Sequence, residues 1–315
     1  MRALLFLALF STAALAQEPP AWFTESLLDL REDVAEAAAQ KKRVLLYFGQ
    51  DGCPYCRRLM EVNFRQAEIA KKAQQHFVAL ALNIWGDREV TWTDGTVTTE
   101  KQLAARLKVQ FTPTILFLDE RGNVALRLNG YYQPHDFDAA LDRAAGTAPH
   151  HRPRAPASPT LNAQPFFKAP PYDLRRGAAA KPLAVLFETP SCAQCDELHA
   201  VALKRQEILE QAARFDFYRL DAASRETLVL PDGRRALASA WANELGVGYV
   251  PSLVLFDARG REVFRTEAYL RPFHIAGALD YVSSGAYTRE PSFQRFLQAK
   301  AERMKSRGER VDLWD

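Results

Sequence analysis

One pattern occurs twice in this chain, and that repetition limits the possible folds more tightly than composition does. The four cysteines form two Cys-x-x-Cys pairs, Cys53/Cys56 in DGCPYC and Cys192/Cys195 in PSCAQC. Cys53 and Cys192 stand 139 residues apart, while Asp94-Gly95 and Asp232-Gly233, like Pro113 and Pro251, stand 138 apart. A single one-residue gap over so long a stretch is the signature of a tandem duplication. One fold is therefore built twice within 315 residues, a length that suits two domains.

Taken alone, the cysteines allow structural disulfides, a Cys₄ metal site or two redox dithiols. A bridge across two intervening residues constrains the unfolded chain little, because the closed loop is so short. The surroundings favour redox chemistry. RVLLYF (43–48) is an apolar, β-rich run that reads as a buried strand. RRLMEVNFRQAEIAKKAQ, directly after Cys56, has Leu59, Met60, Phe64, Ala67 and Ala70 near helical spacing. Cys53 thus lies near a helix N-cap and Pro54 in the first turn, where its missing N–H is not needed. Free N–H groups and the helix dipole there favour a thiolate, the form that attacks disulfides.

Further on, Thr114–Asp119 and Val124–Asn129 read as strands around the turn Glu120-Arg121-Gly122, and a helical stretch opens near Pro134. Pro113, just before the first of these strands, holds a place that suits cis geometry. In the second copy PLAVLFETPSCAQCDELHAVALKRQEIL and VGYVPSLVLFDARGREVFRTEAYLRPFHIAGALDYV repeat the two regions. This order of strand, Cys-x-x-Cys helix, strand, helix, hairpin after Thr-Pro and closing helix resembles the thioredoxin superfamily. The segment LNIWGDREVTWTDGTVTTEKQLAARLKVQFTPT is similar to the insertion of SoxW-like periplasmic thioredoxins.

The resemblance implies an α/β chain of two tandem thioredoxin-like domains, each a mixed central sheet flanked by helices. It implies catalytic roles for Cys53, Cys56, Cys192 and Cys195, with Cys53 attacking a partner disulfide and Cys56 resolving the mixed disulfide. Thr112 and Pro113, and in the second copy Val250 and Pro251, would bind the partner's chain as an added strand. No cofactor is implied. The sequence departs from the family in two respects. The buried acid of typical thioredoxins falls on Tyr47 and Leu186, and the Trp before the first cysteine becomes Gly52 and Ser191.

MRALLFLALFSTAALA (1–16) reads as a signal peptide, because one positive charge precedes a short apolar run and an Ala-x-Ala site. The expected organisation is a signal at 1–16, a first domain at 17–146 and a Pro-rich linker at 147–171. A second domain at 172–287 and a charged C-terminal helix at 288–315 follow. After cleavage no spanning segment is expected, and the compartment is periplasmic and oxidising. The net charge of +3, without basic blocks interleaved with aromatics, gives no reason to expect nucleic acid.

The expected partners are exported proteins with disulfides, together with a membrane electron donor. The leading expectation is reduction of those disulfides; an isomerase or oxidant role, or Cu(I) or Zn binding, stands as the alternative, with only Met1, Met60 and Met304 as thioethers. His199 is expected on a helix flank, His135 solvated at a helix start, and His150 and His151 in the linker. Arg57-Arg58 after Cys56, against Asp196-Glu197 after Cys195, predict a better stabilised thiolate and a more oxidising potential at the first site.

Overall fold

A computed structural model of the chain describes residues 19–147, 161–177, 179–190, 192–267, 270–309 and 311. The expected signal and the His150-His151 pair lie outside the described residues. In the first half, α1 (Leu30–Ala39) and β1 (Arg43–Gly49) lead to α2 (Pro54–Arg58), a π-helical turn (Leu59–Asn63) and α3 (Ala67–His76). Then come β2 (Phe77–Asn83), the hairpin β3 (Glu89–Thr91) and β4 (Val97–Thr99), α4 (Glu100–Arg106), β5 (Thr114–Leu118), β6 (Val124–Asn129) and α5 (Pro134–Ala145).

The second half repeats this from β7 (Leu183–Glu188) through α6 (Ala193–Ala200), α7 (Gln206–Ala212), β8 (Asp216–Asp221), β9 (Thr227–Val229) and β10 (Arg235–Leu237). It continues with α8 (Ala238–Glu244), β11 (Ser252–Phe256), β12 (Glu262–Thr266) and α9 (Pro272–Ser283), and α10 (Phe293–Ser306) follows.

Each half forms a four-stranded mixed sheet, ordered β2-β1-β5-β6 in one and β8-β7-β11-β12 in the other. The central strands β1 and β7 run parallel to β2 and β8 and antiparallel to β5 and β11. Both are covered on two faces, which is why they read as unbroken apolar runs. Along β1, Val44, Leu46 and Phe48 join α1 and α4 on one face, while Leu45 and Tyr47 join α3 and α5 on the other. Along β7, Leu183, Val185 and Phe187 face α8, and Ala184 and Leu186 face α7 and α9. Full burial of each Val, Leu or Phe among them contributes about 1.5–3 kcal/mol before entropy is set against it.

The run after Cys56 is not one helix. It closes at Phe64, turns through extended Gln66 and restarts at Ala67. The break resets the helical phase, so Ile69 and Ala73 are buried while Ala67 faces solvent. Phe166 and Phe167, in the Pro-rich stretch, pack on the second core, and Lys168 N–H bonds Phe217 O. α10 buries Phe293 and Leu297 against α9, and Gly277 allows that approach because a Cβ there would strike Leu297. Among the described residues no helix is long and apolar enough to cross a membrane.

Candidate active site

The register of β1 against β5 builds the first site. Phe48 pairs with Thr114, so the chain leaving β1 toward Cys53 runs beside the Thr112–Pro113 peptide, which is cis. Cys53 is the N-cap of α2 with Pro54 at the first helical position, and it is disulfide-bonded to Cys56. Cys56 N–H donates to Cys53 Sγ at 3.0 Å and Thr112 Oγ1–H at 3.2 Å, while Thr112 O lies 3.4 Å away. Cys53 is 6% exposed and Cys56 1%. With two donors aimed at one sulfur, the site favours negative charge on Cys53 once the bridge is reduced.

The second site has the same frame. Phe187 pairs with Ser252, the Val250–Pro251 peptide is cis, and Cys192 caps α6. Cys192 is bonded to Cys195, whose N–H donates to Cys192 Sγ at 3.1 Å. Cys195 is buried and Cys192 half-buried. Val250 stands where Thr112 stands in the first site, so no side-chain hydroxyl is available at that position. The eight expected site residues thus gather as two separate groups of four, one in each half.

Tyr47, where the usual acid would fall, is buried, and desolvation pushes its phenol above the ordinary range. In the second half a buried acid does occur, at a different position. Glu188, at the end of β7, is 1% exposed and hydrogen-bonds His199 Nε2 through Oε1 at 2.9 Å. Gln164 Nε2 lies 3.2 Å from His199 Nδ1, which places the ring proton on Nε2, facing the carboxylate. His199 is therefore buried against the sheet rather than on the flank, because the turn after Cys195 faces inward. The sequence signal was a charged residue closing the apolar run LAVLFE, which needs a buried partner. His135 is exposed near the start of α5. Among the described residues no three His, Cys, Asp or Glu side chains gather as a metal site.

Sequence reasoning also missed contacts between the halves. The hydroxyl of Tyr55, inside the first motif, lies 3.4 Å from His274 Nδ1 in α9. Gln194, inside the second, donates to Asp136 in α5. Buried Glu267 accepts from Asn129 Nδ2 at 3.3 Å and Arg265 Nη1 at 3.1 Å, and Tyr132 Oη–H donates to its carbonyl. Burial raises the Glu267 carboxyl above the usual range, with Arg265 opposing the shift.

The family model for a thioredoxin-like domain matches residues 30–145 and again 176–283. Over 125 residues the chain is 30% identical to the thiol:disulfide interchange protein DsbD of Ralstonia nicotianae, an alignment covering 39% of this chain and 19% of that protein. The chain thus matches less than a fifth of that relative's length. A thioredoxin from Thermus thermophilus is 25% identical with a TM-score of 0.30, covering 40% of this chain and 94% of that one. A thioredoxin-fold protein from Helicobacter pylori is 16% identical with a TM-score of 0.36, covering 42% and 89%.

Proposed function

Since the chain belongs to the thioredoxin-like domain family, in both of its halves, we propose that it is an exported thiol:disulfide oxidoreductase that reduces disulfides of periplasmic proteins. The observation that carries this reading is the pairing, twice, of a helix-capping Cys-x-x-Cys disulfide with a cis-proline. The likeness to part of a thiol:disulfide interchange protein supports the reaction class. The short apolar segment with its Ala-x-Ala site supports export.

In the reaction, the Cys53 thiolate attacks one sulfur of the partner's disulfide. That bond breaks, a mixed disulfide forms, and the other partner sulfur leaves as a thiolate. Cys56, once deprotonated, attacks Cys53, and its proton passes to the departing partner. The products are a partner dithiol and the Cys53–Cys56 disulfide, so two electrons move to the partner. Backbone groups of Thr112, and of Val250 at the second site, hold the partner's chain as an added strand. Sustained turnover requires electrons to enter the chain from a dithiol donor, for which we assign a membrane protein.

The test is reduction of a model protein disulfide by the full chain. Cys53→Ser should lower the rate roughly a hundredfold or more with the fold intact, because it removes the nucleophile. Full activity in that variant alongside an inactive Cys192→Ser would move the main role to the second site. Activity in a chain lacking all four cysteines would overturn the reading.

A further inference from the structure

A set of contacts between the halves obeys the internal repeat. Asn129 and Glu267, 138 positions apart and hence equivalent, bond each other. Asp136 and His274 are likewise equivalent; each touches the residue just before the second cysteine of the opposite motif, Gln194 in one case and Tyr55 in the other. Phe111 and Tyr249, each two residues before a cis-proline, are also equivalent. Phe111 sits in the second core, its ring 5.1 Å from Phe264 and 5.0 Å from Phe293. Tyr249 packs on the cluster holding Cys53, Tyr55 and Cys56, its ring 4.9 Å from Tyr132 and under the Arg143 guanidinium at 4.4 Å. A contact made twice by equivalent residues defines a pseudo-two-fold axis. Both redox faces, each with its motif and cis-proline loop, border that axis.

We propose that the two redox sites are each other's partners, with the Cys192/Cys195 dithiol reducing the Cys53–Cys56 disulfide inside one chain. This rests on the thiol–disulfide activity proposed above. The Cys192 thiolate attacks Cys53, the Cys53–Cys56 bond breaks, and Cys56 leaves as a thiolate. Cys195 then attacks Cys192, releasing Cys53. A Cys192–Cys195 disulfide and a Cys53/Cys56 dithiol result, with two electrons passed and no outside oxidant. Thr112 Oγ1–H donates to Cys53, whereas Val250 offers no such donor to Cys192. Arg57-Arg58 follow the first pair and Asp196-Glu197 the second. Both asymmetries stabilise charge at Cys53 and set the direction.

The test uses the full chain carrying Cys56→Ser and Cys195→Ser, so that only Cys53 and Cys192 remain. Reduced and then treated with diamide, it should form a monomer with a Cys53–Cys192 bridge, identified by peptide mass spectrometry, at a rate independent of chain concentration. Bridging only between chains would overturn the proposal. Two further variants keep one pair each, with the other pair changed to Ser, and are equilibrated with glutathione. If both exchange while the bridge fails to form, the relay is wrong and the oxidoreductase reading stands; if neither exchanges, both fall. The first pair should be reduced at a ratio about tenfold more oxidising than the second. Equal or inverted ratios would overturn the direction.

Discussion

Thr112 and Val250 occupy equivalent places, and the hydroxyl that separates them lies 3.2 Å from Cys53 Sγ. Thr112→Val keeps the shape and removes the donor. The thiolate fraction of reduced Cys53 at neutral pH should fall up to about tenfold, since a lost hydrogen bond to the charged form disfavours it. Ultraviolet absorbance of the thiolate reads this directly, and an unchanged fraction would remove Thr112 from the account. Glu188 and His199 pose a separate question, that of a polar pair sealed inside the second domain. Among the described residues Glu188 Oε2 has no hydrogen-bond partner, and His199 is the side chain that bonds this carboxylate. His199→Leu should cost about 3 kcal/mol by leaving Glu188 buried alone. The double variant Glu188→Leu/His199→Leu should recover most of that, because no unpaired acid remains. Denaturant titration of the two variants decides it: equal losses would mean that packing, and not the pair, sets the cost.

At the scale of elements, the strands and the closing helices were legible because their burial is one-sided or complete, and either pattern shows as a period or a run. Val124–Asn129 and the start of α5 at Pro134 lie where the sequence placed them. The broken helix after Cys56 was not legible, since apolar spacing alone does not register a turn at Gln66 that shifts the phase. The C-terminal helix was legible as an element, yet the reach of α10, with Phe293, Leu297 and Phe296 packed on the second core, was not. Phe293 is fully buried, with rings of Phe264, Phe111 and Tyr281 at 4.6, 5.0 and 5.3 Å. Gln294 Nε2 donates to Gln110 O in the first half, and the Arg295 guanidinium lies 5.0 Å over the Trp85 ring. α10 therefore braces both halves. Phe293→Ala should cost about 3–5 kcal/mol in urea unfolding, the usual range for removing a buried phenyl ring. A loss below about 1 kcal/mol would show that α10 contributes little to holding the core together.

At the scale of the whole molecule, the duplication was legible in the 138-residue offset, but the docking of the halves was not. Nothing in the sequence marks Phe111 and Tyr249 as interface residues, because a contact between domains leaves no period in sequence. The interface nonetheless holds groups whose titration makes its stability depend on pH. Burial lowers His274 from the ordinary 6.5 to about 4, and its Nδ1 lies 3.4 Å from the Tyr55 hydroxyl. Between those values the unfolded chain binds a proton that the folded chain refuses, so stability rises with pH there. The contribution of His274 is complete above pH 6.5 and is lost as pH falls toward 4. The full shift corresponds to about 3 kcal/mol; His274 is only half-buried in the assembled chain, and screening by water reduces the expected loss to about 1–2 kcal/mol. Glu267 acts in the opposite sense. Its raised carboxyl makes the folded chain hold a proton that the unfolded chain has released, so acid relieves a buried charge. His274→Gln should therefore flatten the fall in stability between pH 6.5 and 4, and Glu267→Gln should steepen it. Urea unfolding at a series of pH values measures both slopes. A His274→Gln chain that loses stability in acid as steeply as the parent would show that the interface is not what couples protons to folding.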